Sequence, residues 1–132
     1  MKIDILFPEV TGVKIAIAKS TNSLGESEWH AYVINKNLIE LTDALIVSKG
    51  LEKPNGEGRK TSTLRHTLGT IEAQSTAPIE MISPEVFLFQ NEFWISYYIV
   101  GDLFDKKFTV TPFNEFELQD IEELGLKGVY AQ

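Results

Sequence analysis

FWISYYIV, at residues 93–100, is the most strand-like stretch of this sequence. Aromatic and β-branched residues fill it, and its apolar side chains fall on both alternating faces. A strand that is covered on both faces lies in the interior of its sheet. Gly101-Asp102 ends the stretch, and the KFTVT sequence at residues 107–111 is typical of a return strand. These residues predict a central strand followed by a hairpin.

Shorter alternating stretches predict further strands on either side. Val13, Ile15 and Ile17 follow the two-residue period of a half-buried strand. Residues 29–35 and 38–48 continue the pattern, and the short Lys36-Asn37 connection between them indicates a hairpin. Further strands are predicted at residues 3–7, 67–73, 79–82 and 126–130, with residues 75–78 as a connection.

One short helix is predicted near the C-terminus, at about residues 115–124. Asn114 is a good N-cap, and Glu117 completes a capping box. Leu118, Ile121 and Leu124 form an apolar stripe at helical spacing.

The whole pattern predicts an all-β, mainly antiparallel fold. Many short strands with regular turn signals and a single late helix favour a sandwich over a parallel α/β sheet. We expect residues 1–132 to form a single domain, an immunoglobulin-like two-sheet β-sandwich with one short C-terminal helix. Trp29 on an early strand supports this topology, although the cysteines that usually bridge such sheets are missing.

The composition narrows the class of protein. The 132 residues are 43% hydrophobic and include no cysteine, which excludes disulfides, thiolate metal sites and cysteine nucleophiles. The start of the sequence has no signal-peptide pattern, and no apolar run approaches the roughly 20 residues that span a bilayer. A net charge of -7 disfavours nucleic acid as a partner. We therefore expect a cytoplasmic protein with no membrane and no nucleic-acid partner.

Three segments carry a resemblance to a known family: residues 29–35, 60–69 and 103–108. Through them the chain resembles, along nearly its whole length, a family of uncharacterised bacterial single-domain proteins of about 130 residues. Some members carry the label of a phenylalanyl-tRNA synthetase subunit, but the ATP-binding motifs of a synthetase do not occur in this sequence. The resemblance implies a domain of unknown function.

A basic segment at residues 49–66 is the candidate binding site. It holds five cations against two anions, together with three glycines. A nucleotide P-loop is not predicted, because Arg59 replaces the glycine before Lys60 and no helix follows. The segment is interpreted either as a solvated loop or as a site for a phosphate or an acidic protein surface. The candidate residues are Lys53, Arg59, Lys60, Thr61, Ser62, Arg65 and His66.

Other candidate sites, for a metal ion or for catalysis, have less support in the sequence. A metal site would need His30 and His66 to converge with carboxylates, and a catalytic triad of Ser62, His66 and Asp43 lacks any nucleophile-elbow pattern. We predict no metal, cofactor or catalytic residue. The aromatic residues of the strands are expected in the core, unless two of them prove exposed side by side as a platform for sugars. These aromatic residues are Trp29, Tyr32, Trp94, Tyr97 and Tyr98.

The function predicted from these residues is a non-enzymatic interaction module. It would recognise a protein partner, or a second copy in a homodimer, through an edge strand or the basic segment. The alternative is a binder of a small phosphate-bearing or carbohydrate ligand, or a small hydrolase, with its site beside residues 49–66.

Overall fold

Alternating apolar residues build two antiparallel sheets in the computed structural model, which describes residues 10–53 and 55–132. The five-stranded sheet has the order β5-β2-β1-β9-β8, and the four-stranded sheet has the order β4-β3-β6-β7. The strand predicted at residues 3–7 lies outside the described residues. The strands are β1 Val13–Thr21, β2 Ser27–Asn35, β3 Leu41–Leu51, β4 Leu64–Ile71, β5 Ser75–Met81, β6 Gln90–Ile99, β7 Asp102–Val110, β8 Gln119–Ile121 and β9 Leu126–Tyr130.

Short 3-10 helices, Pro84–Leu88 and Glu115–Glu117, complete the described elements. No helix in the described ranges is long and apolar enough to cross a membrane. The mainly antiparallel, two-sheet architecture was correctly predicted.

The predicted hairpin between β2 and β3 is wrong. These strands lie in different sheets, and β2 pairs with β1 and β5 instead. Asn35 explains the crossover, because its side-chain amide donates hydrogen bonds to the carbonyls of Ile39, Ile71 and Glu72. These bonds hold the chain after β2 in a bend toward the other sheet.

The predicted connection at residues 75–78 is also wrong, because these residues begin strand β5. Pro78 has no N–H to donate, but β5 is an edge strand, where proline is tolerated. The register passes from Ala31–Glu80 to Tyr32–Pro78, so Ile79 is the extra residue of a bulge.

The core lies between the two sheets. Trp29 is 3% exposed and packs edge-on against Phe87 at 4.6 Å between ring centroids, as expected of a buried sandwich tryptophan. Tyr97 is fully buried and stacks on Phe104 at 5.3 Å. Its hydroxyl has no hydrogen-bond partner within residues 10–53 and 55–132. Burial raises the pKa of Tyr97 from 10.0 to about 12.

Replacing Tyr97 with phenylalanine should therefore leave the protein equally stable, or more stable by up to about 1 kcal/mol, at pH 7. Folding favours the neutral phenol, so its stabilisation is present below pH 10 and is lost as pH rises toward about 12. The advantage of Tyr97→Phe should consequently grow above pH 10. Urea unfolding of both proteins at neutral and alkaline pH measures the difference; a clear loss of stability at pH 7 would mean that the hydroxyl has a partner.

The strand covered on both faces is β1, not β6. Ile15, Ala16, Ile17 and Ala18 are all fully buried, whereas the outer face of β6 is partly exposed. On the outer face of the five-stranded sheet, Ala16 packs with Ile34 and with Ile121 of β8. Small alanine side chains let the β8–β9 hairpin lie close against β1, and this contact closes that face.

The predicted helix at residues 115–124 is wrong beyond its first turn. The N-cap and capping box of Asn114 and Glu117 are present, but they start only the 3-10 turn Glu115–Glu117. The chain then enters β8, where Ile121 pairs with Leu126 and is fully buried against Ala16. This burial in the hairpin outweighs the helical spacing of the apolar stripe, because tertiary packing overrides local propensity.

Candidate functional site

The outer face of the four-stranded sheet exposes large apolar side chains. Buried residues of β6 alternate with outward ones, so Trp94 and Tyr98 share the outer face. Trp94 is 43% exposed and Tyr98 is 38% exposed. Leu103 of β7 lies directly opposite Tyr98 and is 40% exposed. With Leu45 and Val47 of β3, these three residues form what we call the aromatic face.

Trp94 lies at one end of the aromatic face, with a paired strand on each side. Its neighbour on β3 is Val47, which is partly buried, and its neighbour on β7 is Lys107. The Lys107 ammonium lies 5.4 Å from the centre of the indole ring, within the range of a cation–π interaction. An aromatic ring is thus presented to solvent with a cation held beside it.

Glu92 holds the Lys107 ammonium in place through an ion pair. Its side chain is 7% exposed, and its carboxylate lies 3.3 Å from Lys107 Nζ and 3.8 Å from Lys49 Nζ. Two cations compensate the buried carboxylate, which would otherwise be costly. Because Glu92 is itself on β6, the ion pairs hold Lys107 next to Trp94 before any ligand binds.

Three of the four sheet edges, β5, β7 and β8, are poorly suited to docking a further strand; β4 is the fourth edge. The strand β7 is long, and the backbone N–H and carbonyl of Thr109 both form hydrogen bonds with Gln132 at the outer edge of the sheet. Because backbone groups alternate in direction along a strand, those of Lys107 and Asp105 face the same edge. This edge is charged, with Lys106 also exposed. β5 contains Pro78, and β8 has only three residues. Charges, proline and short strands are the features that keep edge strands from pairing with other chains.

The basic segment does not converge on one point. Arg59 forms an ion pair with Glu52, and its guanidinium lies 5.4 Å from the Phe89 ring centre. The hydrogen bonds from Arg59 lower the pKa of Glu52 below its usual value of 4.5. Lys53 and Lys60 are exposed, as is Ser62.

Among the remaining candidates, Thr61 and His66 form hydrogen bonds within the fold. Thr61 Oγ1 accepts a hydrogen bond of 2.6 Å from the Gly50 N–H, which closes the base of the loop. Arg65 and His66 are consecutive in β4, so their side chains lie on opposite faces. Arg65 is in register with Val47 and borders the aromatic face, whereas His66 faces inward.

The two histidines lie in separate surroundings. His66 Nε2 lies 3.1 Å from a Glu80 carboxylate oxygen, which links β4 to β5, so Glu80 takes the position that the triad assigned to Asp43. His30 Nδ1 is buried with no hydrogen-bond partner in the described part of the chain. Within the described residues, no group of three histidine or acidic side chains is placed to hold a metal ion.

Glu123 is the centre of a cluster of ion pairs and hydrogen bonds on the other sheet. Its carboxylate lies 3.3 Å from Lys14 Nζ and 3.7 Å from Lys36 Nζ, and it accepts a short hydrogen bond from the Tyr130 hydroxyl. Burial by itself raises the pKa of Glu123, but the bonds from Tyr130 and Lys14 outweigh it and lower the pKa to about 2. Burial and the same carboxylate raise the pKa of Tyr130 to about 12.

Replacing Glu123 with glutamine should destabilise the fold in a pH-dependent way. Because its folded pKa of about 2 lies below the ordinary value of 4.5, the stabilisation is present above pH 4.5 and is lost as pH falls toward 2. We expect Glu123→Gln to cost about 1–2 kcal/mol at pH 7 and almost nothing near pH 2. Urea titrations across this range measure it, with the exposed Glu122→Gln as the control; a pH-independent difference would contradict the assignment.

Comparison with known proteins finds no relative of this chain. The chain significantly matches no family model, no curated protein sequence and no solved structure.

Proposed function

We propose that this protein is a non-enzymatic interaction module that binds another protein through the aromatic face. The observation that carries the proposal is the exposure of Trp94, Tyr98 and Leu103 together on paired strands. Exposed apolar clusters rimmed by polar groups mark binding surfaces, and tryptophan and tyrosine are the residues most often found at their energetic centres. The paired strands fix the backbone of these exposed residues, so little conformational entropy is lost on binding.

The partner surface should be apolar and acidic. Arg65 on β4 and Lys107 on β7 lie in the same row across the sheet as Trp94, one on each side of it. Lys53 and Lys60, exposed in the adjoining loop, add positive charge. The cations lie at the Trp94 end of the aromatic face, whereas the exposed Asp105 lies between Lys107 and Leu103 on the same side of β7. The positive end favours a partner whose aromatic or aliphatic groups are flanked by Asp or Glu.

This chain itself carries a segment of that chemistry. Phe116 is 99% exposed, and its neighbours in sequence are Glu115 and Glu117. The capping box at Asn114 holds the turn that presents it. A second copy is therefore one partner that fits the aromatic face, and the oligomeric state in solution distinguishes it from a different protein.

Carbohydrate binding is the second candidate, favoured by one observation. Trp94 and Tyr98 are four residues apart on one face of β6, roughly 13 Å along the strand, with the partly exposed Ser96 between them. Aromatic rings on a flat face are suited to stacking on sugar rings. A titration with common polysaccharides that leaves tryptophan fluorescence unchanged would remove this candidate.

We further propose an immunoglobulin-like strand order and a cytoplasmic location. The first proposal is supported by β1, β2 and β5 lying in one sheet and β3, β6 and β7 in the other, as strands A, B, E and C, F, G do in that fold. The strand β4 departs from the constant-type order, because it lies beside β3 in the second sheet. The second is supported by the cysteine-free composition.

An affinity pull-down with a paired variant tests the main proposal. The bait is either the wild type or the Trp94→Ser/Tyr98→Ser variant, and the control is Leu38→Ser/Leu88→Ser. The control removes apolar side chains that are 85% and 75% exposed elsewhere on the surface. We expect a partner that the wild type and the control capture and the Trp94→Ser/Tyr98→Ser variant loses. Equal capture by all three proteins would refute the proposal.

A further inference from the structure

A second, independent feature lies between the sheets, beneath the base of the basic segment. It is a cavity of about 150 Å³ that opens where β3, β5 and β6 approach one another. Its walls include Ile82, Val86 and Phe93, and exposed Leu64 and Met81 also line it. A cavity of about this volume accommodates a molecule of roughly six non-hydrogen atoms. The space suits a small ligand or a single side chain.

Asn91 supplies a hydrogen-bond acceptor of fixed orientation. The residue is 6% exposed, and its side-chain nitrogen donates to the carbonyls of Val86 at 2.9 Å and Phe89 at 3.2 Å. Both amide hydrogens are thereby used, so the amide cannot flip and Oδ1 remains the atom that can accept. Oδ1 lies beside Gly50, at 3.4 Å from the position that a Cβ would take there.

Ser48 and Glu80 add oxygen atoms to the same cavity. Ser48 is 4% exposed, and its hydroxyl can both donate and accept. Glu80 also lines the cavity, and its side chain is 12% exposed; one of its carboxylate oxygens lies 3.1 Å from His66 Nε2, so the other is not used by that pair. Three well-buried residues whose side chains carry oxygen atoms thus line one small space.

The cations near the cavity are engaged elsewhere. Lys49 lines the cavity, but its ammonium pairs with Glu92, which lies on the outer face of the sheet. Thr61 Oγ1 accepts from Gly50 and donates to the Ser62 carbonyl at 3.2 Å, so its hydrogen-bonding capacity is largely used. The site therefore offers acceptors and one carboxylate, and its ligand should be a donor with positive charge.

We propose that this cavity binds a primary alkylammonium group, either in a free small amine or at the end of a lysine side chain. The ammonium donates its three hydrogens to Asn91 Oδ1, Ser48 Oγ and Glu80, while the alkyl stem packs against Phe93 and Ile82. Lysine and n-butylammonium both have a four-carbon stem that fits the volume. The proposal does not depend on the aromatic face.

An NMR titration with matched probes tests the assignment. n-Butylammonium, 1-butanol and n-butyrate share the stem and differ only in the head group. We expect n-butylammonium to shift the backbone amides of Ser48, Gly50 and Met81 with a Kd of about 1 mM, and the other two probes to bind at least about tenfold more weakly. Equal binding of 1-butanol, or no shift at tens of millimolar n-butylammonium, would overturn the proposal.

Variants then test the oxygen atoms. Ser48→Ala and Glu80→Gln should each weaken n-butylammonium binding about tenfold, whereas Glu72→Gln, an exposed carboxylate in the turn after β4, should not change it. Ser48→Ala leaves the His66–Glu80 pair intact, so the test stands even if Glu80→Gln disturbs the fold. Affinities unchanged in both variants would contradict the assignment.

A lysine-containing peptide distinguishes the two sources of the ligand. Binding at least about tenfold tighter than n-butylammonium would identify a lysine side chain of a partner, because the peptide adds contacts beyond the cavity. Equal affinity would identify a free amine.

Discussion

Replacing Gly128 with alanine should destabilise the protein more than the same change at Gly50 or Gly69, the other glycines in the described strands. A Cβ at Gly128 would lie 2.8 Å from Ala18 Cα and still closer to the Ile17 carbonyl oxygen. These are backbone atoms of β1, and Gly128 pairs with Ala18 in the sheet. Neither strand can move aside without breaking the β1–β9 pairing that brings the β8–β9 hairpin onto Ala16. We expect a loss of about 3 kcal/mol or more in the free energy of unfolding.

Gly125 provides the matched control for this prediction. It lies in the turn of the same hairpin at φ 64°, and a Cβ there would meet no atom within 4 Å. Gly125→Ala should therefore cost only the strain of a left-handed alanine, about 1 kcal/mol. Urea unfolding of both variants measures the difference, and a Gly128→Ala protein as stable as Gly125→Ala would contradict the close approach.

Replacing Trp94 with alanine should reduce the affinity for the protein partner by about a hundredfold while leaving the fold stable. A central tryptophan at an interface is typically worth 2 kcal/mol or more, and Trp94 has both an apolar neighbour and a cation beside it. Its 43% exposure means that the core loses little when the ring is removed. Binding to the purified partner is measured by calorimetry, and stability by urea unfolding.

The rest of the aromatic face supplies graded controls. Leu103 lies farther from Lys107, so Leu103→Ala should reduce the binding affinity less than Trp94→Ala does. Lys107→Ala should mainly reduce the association rate and its dependence on salt. A Trp94→Ala protein that binds as tightly as the wild type would place the binding surface elsewhere.

The strand content of the fold was predictable from local patterns, because alternation and β-branched residues directly report a half-buried strand. The sheet to which each strand belongs was not. The crossover after β2 depends on the Asn35 amide, which bonds to the nearby Ile39 and to Ile71 and Glu72, more than 30 residues away. The two distant contacts cannot be predicted from local spacing. The prediction of a helix at residues 115–124 was wrong for a similar reason, because Ile121 is buried against Ala16 and Ile34 from distant strands.

The candidate site was predicted less well than the fold. An apolar stretch such as FWISYYIV does not reveal which of its faces is covered, so Trp94 and Tyr98 were assigned to the core. Ser96 was the available signal, because a polar residue midway between them on the same face indicates contact with solvent. The basic segment was visible in the sequence, but the pairing of Arg59 with Glu52 and the opposite orientations of Arg65 and His66 depend on register.

Acrylamide quenching of tryptophan fluorescence tests the aromatic face most directly. The protein has two tryptophans; Trp29 is 3% exposed and Trp94 is 43% exposed, so the quencher reports mainly on Trp94 without any substitution. We expect the captured partner to protect the quenchable fraction and shift the emission to shorter wavelength. A partner that binds while Trp94 remains fully quenchable, with unchanged emission, would show that the aromatic face is not the binding surface.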